Sequence, residues 1–432
     1  MPTSDAFSPS LLLTLAFAAA LSLGLVLKFW LATRHMRHVA RHRSAVPAPF
    51  AGRIGLAAHQ KAADYTIAKG RLGLLEMALS AAVLLGWTLL GGLDALNQLL
   101  LGALGGGMWQ QLALLAAFAA IGGLIDLPLS LYQTFVVEER FGFNKMTLRL
   151  WLADAAKGLL VGAAIGLPIA ALILWLMGAT GPLWWLWAWG FWMGFNLLLM
   201  VIYPTFIAPL FNKFQPLEDE SLKARVTALM QRCGFSAKGL FVMDGSRRSA
   251  HANAYFTGFG AAKRVVFYDT LLRQLAPGEV EAVLAHELGH FKHRHIVQRV
   301  AMMFAFSLAG FALLGWLSTQ GWFYTGLGVI PNLSLDGSAP NDALALLLFM
   351  LAVPVFTFFI SPLFSQLSRR HEFQADAYAV AQASGADLSS ALLKLYEDNA
   401  STLTPDPVYV KFYYSHPPAT ERLARMQTPA HP

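Results

Sequence analysis

Charged residues are scarce in this chain. Only 13% of its 432 residues are Asp, Glu, Lys or Arg, which is about half the share found in an ordinary soluble domain. Hydrophobic residues make up 56%, so a membrane protein is favoured over a soluble globular one. Cysteine is nearly absent as well: Cys233 is the only one. A disulfide within the chain is therefore excluded, and redox chemistry is not expected.

Lysine and arginine are missing from four segments, residues 1–9, 92–109, 179–182 and 320–342. Positive residues instead crowd the stretch that follows the first apolar run. Because cytoplasmic loops carry the excess of positive charge, the N-terminus is predicted outside and the C-terminal tail in the cytoplasm. The first nine residues lack the positive start of a secretory signal, so the first run is expected to be a retained helix. Positive charge placed beside the membrane also argues against nucleic acid as a partner.

Seven apolar runs are long enough to cross a bilayer as helices. They lie near residues 10–31, 72–91, 111–136, 158–178, 183–203, 299–319 and 343–364. We therefore predict an all-α polytopic membrane protein with seven transmembrane helices and a small mixed α/β cytoplasmic cap. The predicted divisions are a membrane domain at 1–203, a catalytic segment at 204–298, two further spans at 299–364 and a cytoplasmic segment at 365–432.

The cap carries the pattern H-E-x-x-H as His286-Glu287-Leu288-Gly289-His290. Residues four apart in an α-helix differ by about 40° in direction, so both imidazoles point at one ion. Glu287 lies beside them, where it can take a proton from a zinc-activated water. Pro277 and the acidic residues after it favour a helix start. The motif predicts a zinc metalloendopeptidase with one Zn²⁺ per chain and Glu287 as the catalytic base.

A catalytic zinc site commonly takes a third protein ligand. After the motif the only glutamates are Glu372, Glu397 and Glu421. Glu372 is favoured, because the hairpin of spans six and seven returns the chain to the face that holds the motif. Asp376, one helical turn later, is the expected partner that orients a zinc-bound imidazole. His293 and His295 are expected at the cytoplasmic end of the motif helix, not as ligands.

Several blocks resemble the type I CAAX prenyl proteases. Besides the motif they are EFQADAYA at 372–379, TFVVEERFGFNKMT at 134–147, YPTFIAPLFNKFQPL at 203–217, HANAYFTGFG at 251–260 and SHPPATERL at 415–423. The resemblance spans nearly the whole chain. It implies a barrel of seven tilted helices around a water-filled chamber, with the zinc site at the cytoplasmic end.

The resemblance also implies a reaction and two further site residues. Members of the family remove the last three residues of isoprenylated C-a-a-X peptides. By this match Asn253 and His416 would hold the substrate backbone and stabilise the oxyanion. Arg422 could face the cavity or pair with a nearby acid, and Asp126 should face water or protein because it lies inside span three. The Glu138-Glu139-Arg140 block is interpreted as structural.

Two alternatives for the function stay open at this point. One is a metalloprotease for the quality control of membrane proteins, and the other is a metal or solute transporter. The expected partners are the lipid bilayer and a peptide or membrane-protein substrate, with lipidated substrates among the candidates. The short loops and the Ala/Leu/Gly-rich composition suggest a bacterial inner membrane.

Overall fold

The computed structural model of the protein describes residues 8–236, 239–257, 264–332 and 340–427. Within these ranges, seven helical stretches are long and apolar enough to cross a membrane, as predicted. They are Pro9–Arg41, Leu56–Trp87, Met108–Glu138, Leu148–Ala179, Gly181–Phe211, His295–Leu317 and Asp342–Gln382. Several extend a turn or more beyond the apolar runs of the sequence. The polar helix ends therefore project toward the cap and contribute to it.

The secondary structure is mostly helical. The membrane part contains α1 (Pro9–Arg41), α2 (Leu56–Trp87), α3 (Gly92–Leu104), α4 (Met108–Tyr132), α5 (Leu148–Ala179), α6 (Trp184–Ile202) and α7 (Ala208–Phe211). The cap and the last two spans contain α8 (Glu220–Arg232), α9 (Asp269–Gln274), α10 (Pro277–Lys292), α11 (His295–Leu317), α12 (Gly321–Thr325), α13 (Asp342–Thr357), α14 (Ser361–Gln382), α15 (Gly385–Asp398), α16 (Pro407–Tyr413) and α17 (Ala419–Gln427). π-helical turns at Gln133–Glu138 and Tyr203–Ile207 lengthen α4 and α6.

The membrane helices enclose space instead of packing into a solid bundle. In six of the seven spans only 6–11% of the residues in the most apolar window are buried, whereas the seventh reaches 39%. Helices with so few buried residues leave most of their surface open to lipid or to the interior. Asp126 lines a cavity of about 580 Å³ together with Glu76, Ser80 and Ser130. The expectation that Asp126 faces water or protein inside a chambered barrel is therefore met.

One end of the barrel is closed by a hydrophobic cluster. Its fully buried members include Phe17, Leu93, Leu114, Leu174 and Leu327. They come from five different parts of the chain, among them α3, a helix that the sequence did not predict. This end carries the loops without Lys or Arg, so the cap is the part that faces the opposite, positively charged side.

The cap is built on one small mixed sheet. Its strands are β1 (Phe214–Pro216), β2 (Gly239–Met243), β3 (Ala254–Thr257) and β4 (Arg264–Tyr268). Their order is β1-β2-β4-β3, with β2 and β4 parallel and the outer pairs antiparallel. Strand β3 is thus an edge strand.

Helix α10 is fixed at its start by charged groups. Pro277 occupies the first turn, and the Glu279 carboxylate accepts a hydrogen bond from the Ala276 backbone N–H at 2.7 Å. Glu279 also binds Lys394 at 2.7 Å. Buried Glu281 pairs with Arg225 and Arg232 of α8. These contacts join α10 to α8 and α15 before the chain reaches the H-E-x-x-H motif.

Helices α10 and α14 pack with their backbones in contact. A Cβ atom built on Gly289 would lie 2.8 Å from the Ala375 Cα atom of α14 and 3.1 Å from its carbonyl oxygen. Ala375 and Ala379 are fully buried on the facing side. Only small residues allow this approach. It brings the fourth helical turn of the motif helix against the EFQADAYA segment.

We expect Gly289→Ala to destabilise the protein, because the added methyl group meets backbone that cannot move aside. Overpacking of this kind typically costs about 1–3 kcal/mol, and it outweighs the ~1 kcal/mol that Ala gains over Gly in a helix. Gly162→Ala is the matched control, since nothing lies within 4 Å of its Cβ position. Thermal unfolding in detergent should show a lower Tm for Gly289→Ala alone. An unchanged Tm would contradict the close approach.

Candidate metal centre

Two histidines and one glutamate converge between α10 and α14. The ligand atoms of His286, His290 and Glu372 all lie within 4.8 Å of one another. The His286 Nε2 atom is 3.4 Å from Glu372 Oε2, and the His290 Nε2 atom is 3.5 Å from Glu372 Oε1. Among the described residues, neither Glu397 nor Glu421 belongs to such a group. The three residues chosen from the sequence are therefore the ones that the fold brings together.

The second nitrogen of His286 contacts the carboxylate of Asp376. The two atoms, His286 Nδ1 and Asp376 Oδ1, are 2.8 Å apart. Asp376 in turn accepts two hydrogen bonds from Arg422, at 2.8 and 2.6 Å. All three side chains are buried. Arg422 thus forms the ion pair, which supplies the countercharge for a buried carboxylate, and it also lines the cleft beside the motif.

The second nitrogen of His290 has a partner that the sequence did not predict. The helix α10 ends at Lys292, and Arg294 has a left-handed backbone with φ of 57°. His295 therefore starts α11, so the expectation that it continues the motif helix is wrong. Its Nδ1 atom lies 3.0 Å from His290 Nδ1. The only sequence signal was a histidine five residues after the motif.

His286, His290, Glu372 and Glu287 open into one cleft of about 170 Å³. One wall is aliphatic and consists of Leu271, Val283, Leu388, Leu392 and Leu395. The rim carries Asn253, His416 and Arg422. Burial raises the pKa of the Glu287 carboxyl group. A carboxylate with a raised pKa accepts and returns a proton near neutral pH more readily than an exposed one.

Asn253 and His416 both line this cleft. Asn253 is exposed and directly precedes the edge strand β3. The His416 Nε2 atom is 3.4 Å from Glu372 Oε1, and its ring is largely exposed. Both residues are therefore close to the ligands and accessible from the cleft. Their roles toward a substrate stay a prediction.

The two imidazoles of the motif differ in their electrostatic surroundings. Burial lowers the pKa of His290 to about 3, with further lowering by His286. For His286, burial alone would lower the pKa, but the hydrogen bond with Asp376 and the adjacent carboxylate of Glu372 outweigh it and raise the pKa to about 9. The site thus favours a positive charge between these carboxylates while it keeps the second imidazole neutral.

Two family models together match nearly the whole chain. Residues 35–213 match the N-terminal region of the CAAX prenyl proteases, which consists of five membrane helices. Residues 216–430 match peptidase family M48.

Individual relatives agree with these matches. CAAX prenyl protease 1 of Saccharomyces cerevisiae is 40% identical over 331 residues, covering 73% of this chain and 72% of the relative. The Homo sapiens homologue is 34% identical over 356 residues, with 74% of each chain covered. The crystal structure of Ste24p from S. mikatae superposes with a TM-score of 0.89 at 32% identity, covering 96% of this chain and 99% of that one.

Proposed function

Because the chain belongs to peptidase family M48, with the five-helix membrane region of the CAAX prenyl proteases on its N-terminal side, we propose that it cleaves peptides at a zinc site formed by His286, His290 and Glu372. Membership of the family makes the chain a multi-pass membrane metalloendopeptidase. The transporter and the quality-control protease are not favoured. The convergence of two imidazoles and a buried carboxylate within 4.8 Å carries the proposal.

The donor atoms of this site fit a zinc ion. Two imidazole nitrogens and one carboxylate oxygen are a common set for catalytic zinc, which keeps a fourth position open. The Glu372 Oε2 atom is buried and has no hydrogen-bond partner, a costly state unless a cation satisfies it. The raised pKa of His286 likewise favours positive charge here. A bound zinc ion would polarise the scissile carbonyl and activate a water molecule.

The residues of the chain supply the remaining steps. Glu287 would take the proton of the attacking water on its carboxylate and pass it to the leaving amine. Asn253 and His416 would donate hydrogen bonds to the substrate backbone and to the oxygen on which negative charge develops. The free edge of β3 offers backbone groups to an extended peptide. The arrangement thus favours cleavage within an extended segment.

The aliphatic wall indicates the kind of side chain that lies beside the scissile bond. The wall is formed by Leu271, Val283, Leu388, Leu392 and Leu395. None of these five residues carries a polar side-chain atom. An aliphatic side chain would fit there, as in a C-a-a-X sequence. The open interior of the barrel could receive a lipid attached to the substrate. We therefore propose prenylated C-a-a-X peptides as substrates, a class that agrees with the name of the relatives, CAAX prenyl protease 1.

The proposed orientation has the N-terminus outside and the cap in the cytoplasm. It rests on the four segments without Lys or Arg, all of which fall on one side of the seven spans. The bacterial inner membrane as the host membrane stays a prediction from composition.

Two glutamate variants test the metal and the base separately. Glu287→Gln should keep about one zinc per chain and lose nearly all turnover, because it removes the proton acceptor but no ligand. Glu372→Ala should hold zinc only weakly. Asp376→Asn should fall between them, since such partners typically contribute about 10–100-fold to affinity or activity. Elemental analysis and peptidase assays on the same preparations decide this. Full zinc in Glu372→Ala, or turnover in Glu287→Gln, would contradict the assignments.

A matched pair of peptides tests the substrate class. A C-a-a-X peptide with a farnesyl group on its cysteine should have a KM roughly tenfold or more below that of the same peptide without the group. Each buried CH₂ contributes ~0.8 kcal/mol, and two of them already correspond to about a factor of ten. Chelator should abolish cleavage of both peptides. Equal KM values would be consistent with peptidase activity but would exclude recognition of the farnesyl group.

Labelling of single cysteines tests the orientation. In a Cys233→Ser background, a membrane-impermeant maleimide should label Thr319→Cys in intact cells. It should label Gln231→Cys, which is exposed on α8, only after the membrane is opened. The opposite pattern would overturn the assignment from positive charge.

A further inference from the structure

His295 lies where a continuous helix could not place it. Residues five apart on an α-helix point about 140° away from each other, so His295 on an extended α10 would face away from His290. The left-handed residue Arg294, with φ of 57°, turns the chain between α10 and α11. Such a conformation is costly for a residue other than glycine. The turn brings His295 Nδ1 to 3.0 Å from His290 Nδ1.

We propose that His295 is a positioning residue that fixes the tautomer and the ring orientation of His290. The proposal rests on the proposed function, in which His290 binds zinc through Nε2. The Nδ1 atom of His290 must then carry the hydrogen and donate it to His295 Nδ1. The hydrogen of His295 lies in consequence on Nε2, which donates to Gln374 Oε1 at 2.8 Å. Every nitrogen in this relay has one consistent role.

A neutral acceptor suits this position because the charges of the site already balance. With zinc bound, the positive charges of the ion and of Arg422 would match the carboxylates of Glu287, Glu372 and Asp376. A carboxylate in the place of His295, like Asp376 beside His286, would add one buried negative charge without a matching positive charge, which is costly. An imidazole accepts the hydrogen bond without adding charge. The two zinc-binding histidines are therefore held by different means.

The ring of His295 is held in place by its surroundings. It is 1% exposed and stacks on His371, with ring centroids 3.9 Å apart and an angle of 10° between the planes. His371 directly precedes Glu372 in α14. The same stack that confines His295 thus borders the third ligand. Rotation of either ring would disturb two of the three zinc ligands.

The test compares zinc affinity in variants that keep or remove the acceptor. His295→Leu should weaken zinc binding by about 10–100-fold, measured by competition with a chromophoric chelator. His295→Asn places an amide oxygen near the former Nδ1 position and should restore most of the affinity. His42→Leu is the control, because it makes a similar change at a histidine beside the end of α1, whose imidazole contacts His38 and not the metal centre, and it should bind zinc like the wild type. At saturating zinc, KM should stay unchanged in all three.

A second pair of variants guards against misfolding of His295→Leu. Gln374 is exposed, so replacing it should not disturb folding. Gln374→Glu keeps an acceptor for His295 Nε2–H and should hold zinc at least as tightly as the wild type, whereas Gln374→Met removes the acceptor and should bind it more weakly. Wild-type affinity in both His295→Leu and Gln374→Met would overturn the proposal, and so would equal loss in His295→Asn and His295→Leu. If His290→Ala did not weaken zinc binding either, the proposed function itself would fail.

Discussion

The backbone contact between α10 and α14 is the constraint on which the rest of the site depends. The ligands are separated by more than eighty residues and a membrane hairpin, so no local interaction can set their distance. Gly289 leaves the space into which Ala375 fits, and the helices approach until their backbones touch. Residues one turn away on each helix, His286 and Glu372 among them, are then within reach of one ion. A larger residue at Gly289 would separate the ligands before it disturbed any of them directly.

The same approach makes a buried ion pair necessary. Asp376 follows Glu372 by one turn and therefore enters the helix interface, where it meets His286. An unpaired carboxylate there would be costly. Arg422, from the last described helix of the chain, donates two hydrogen bonds to the Asp376 carboxylate. The C-terminal segment is thus part of the centre, although it lies 46 residues from its partner.

How much of the metal centre can be predicted from the sequence depends on how far apart in the sequence the interacting residues lie. The motif residues could be assigned because helical periodicity alone aligns them, and Glu372 because the number of spans decides which side the chain returns to. His295 could not, because the turn at 293–294 contains neither glycine nor proline. A continuous helix was the natural expectation. The ion pair of Arg422 remained open for the related reason that loop geometry after α15 has no periodic signal. The domain boundaries remain predictions.

Contacts of Glu138 show how the membrane helices help to position residues 251–253, which precede the edge strand β3. Glu138 accepts a hydrogen bond from Tyr65 of α2 at 2.7 Å, and its other oxygen is 3.6 Å from His251 Nε2. Phe143 stacks on His251 at 4.3 Å. The Asn399 amide oxygen accepts a hydrogen bond from the Ala252 backbone N–H at 3.1 Å. Since Asn253 is the next residue, its place at the cleft is constrained both from the membrane helices and from the end of α15. Glu138 thus makes contacts that reach the edge of the proposed peptide-binding cleft, and the structural role of the whole block stays a prediction.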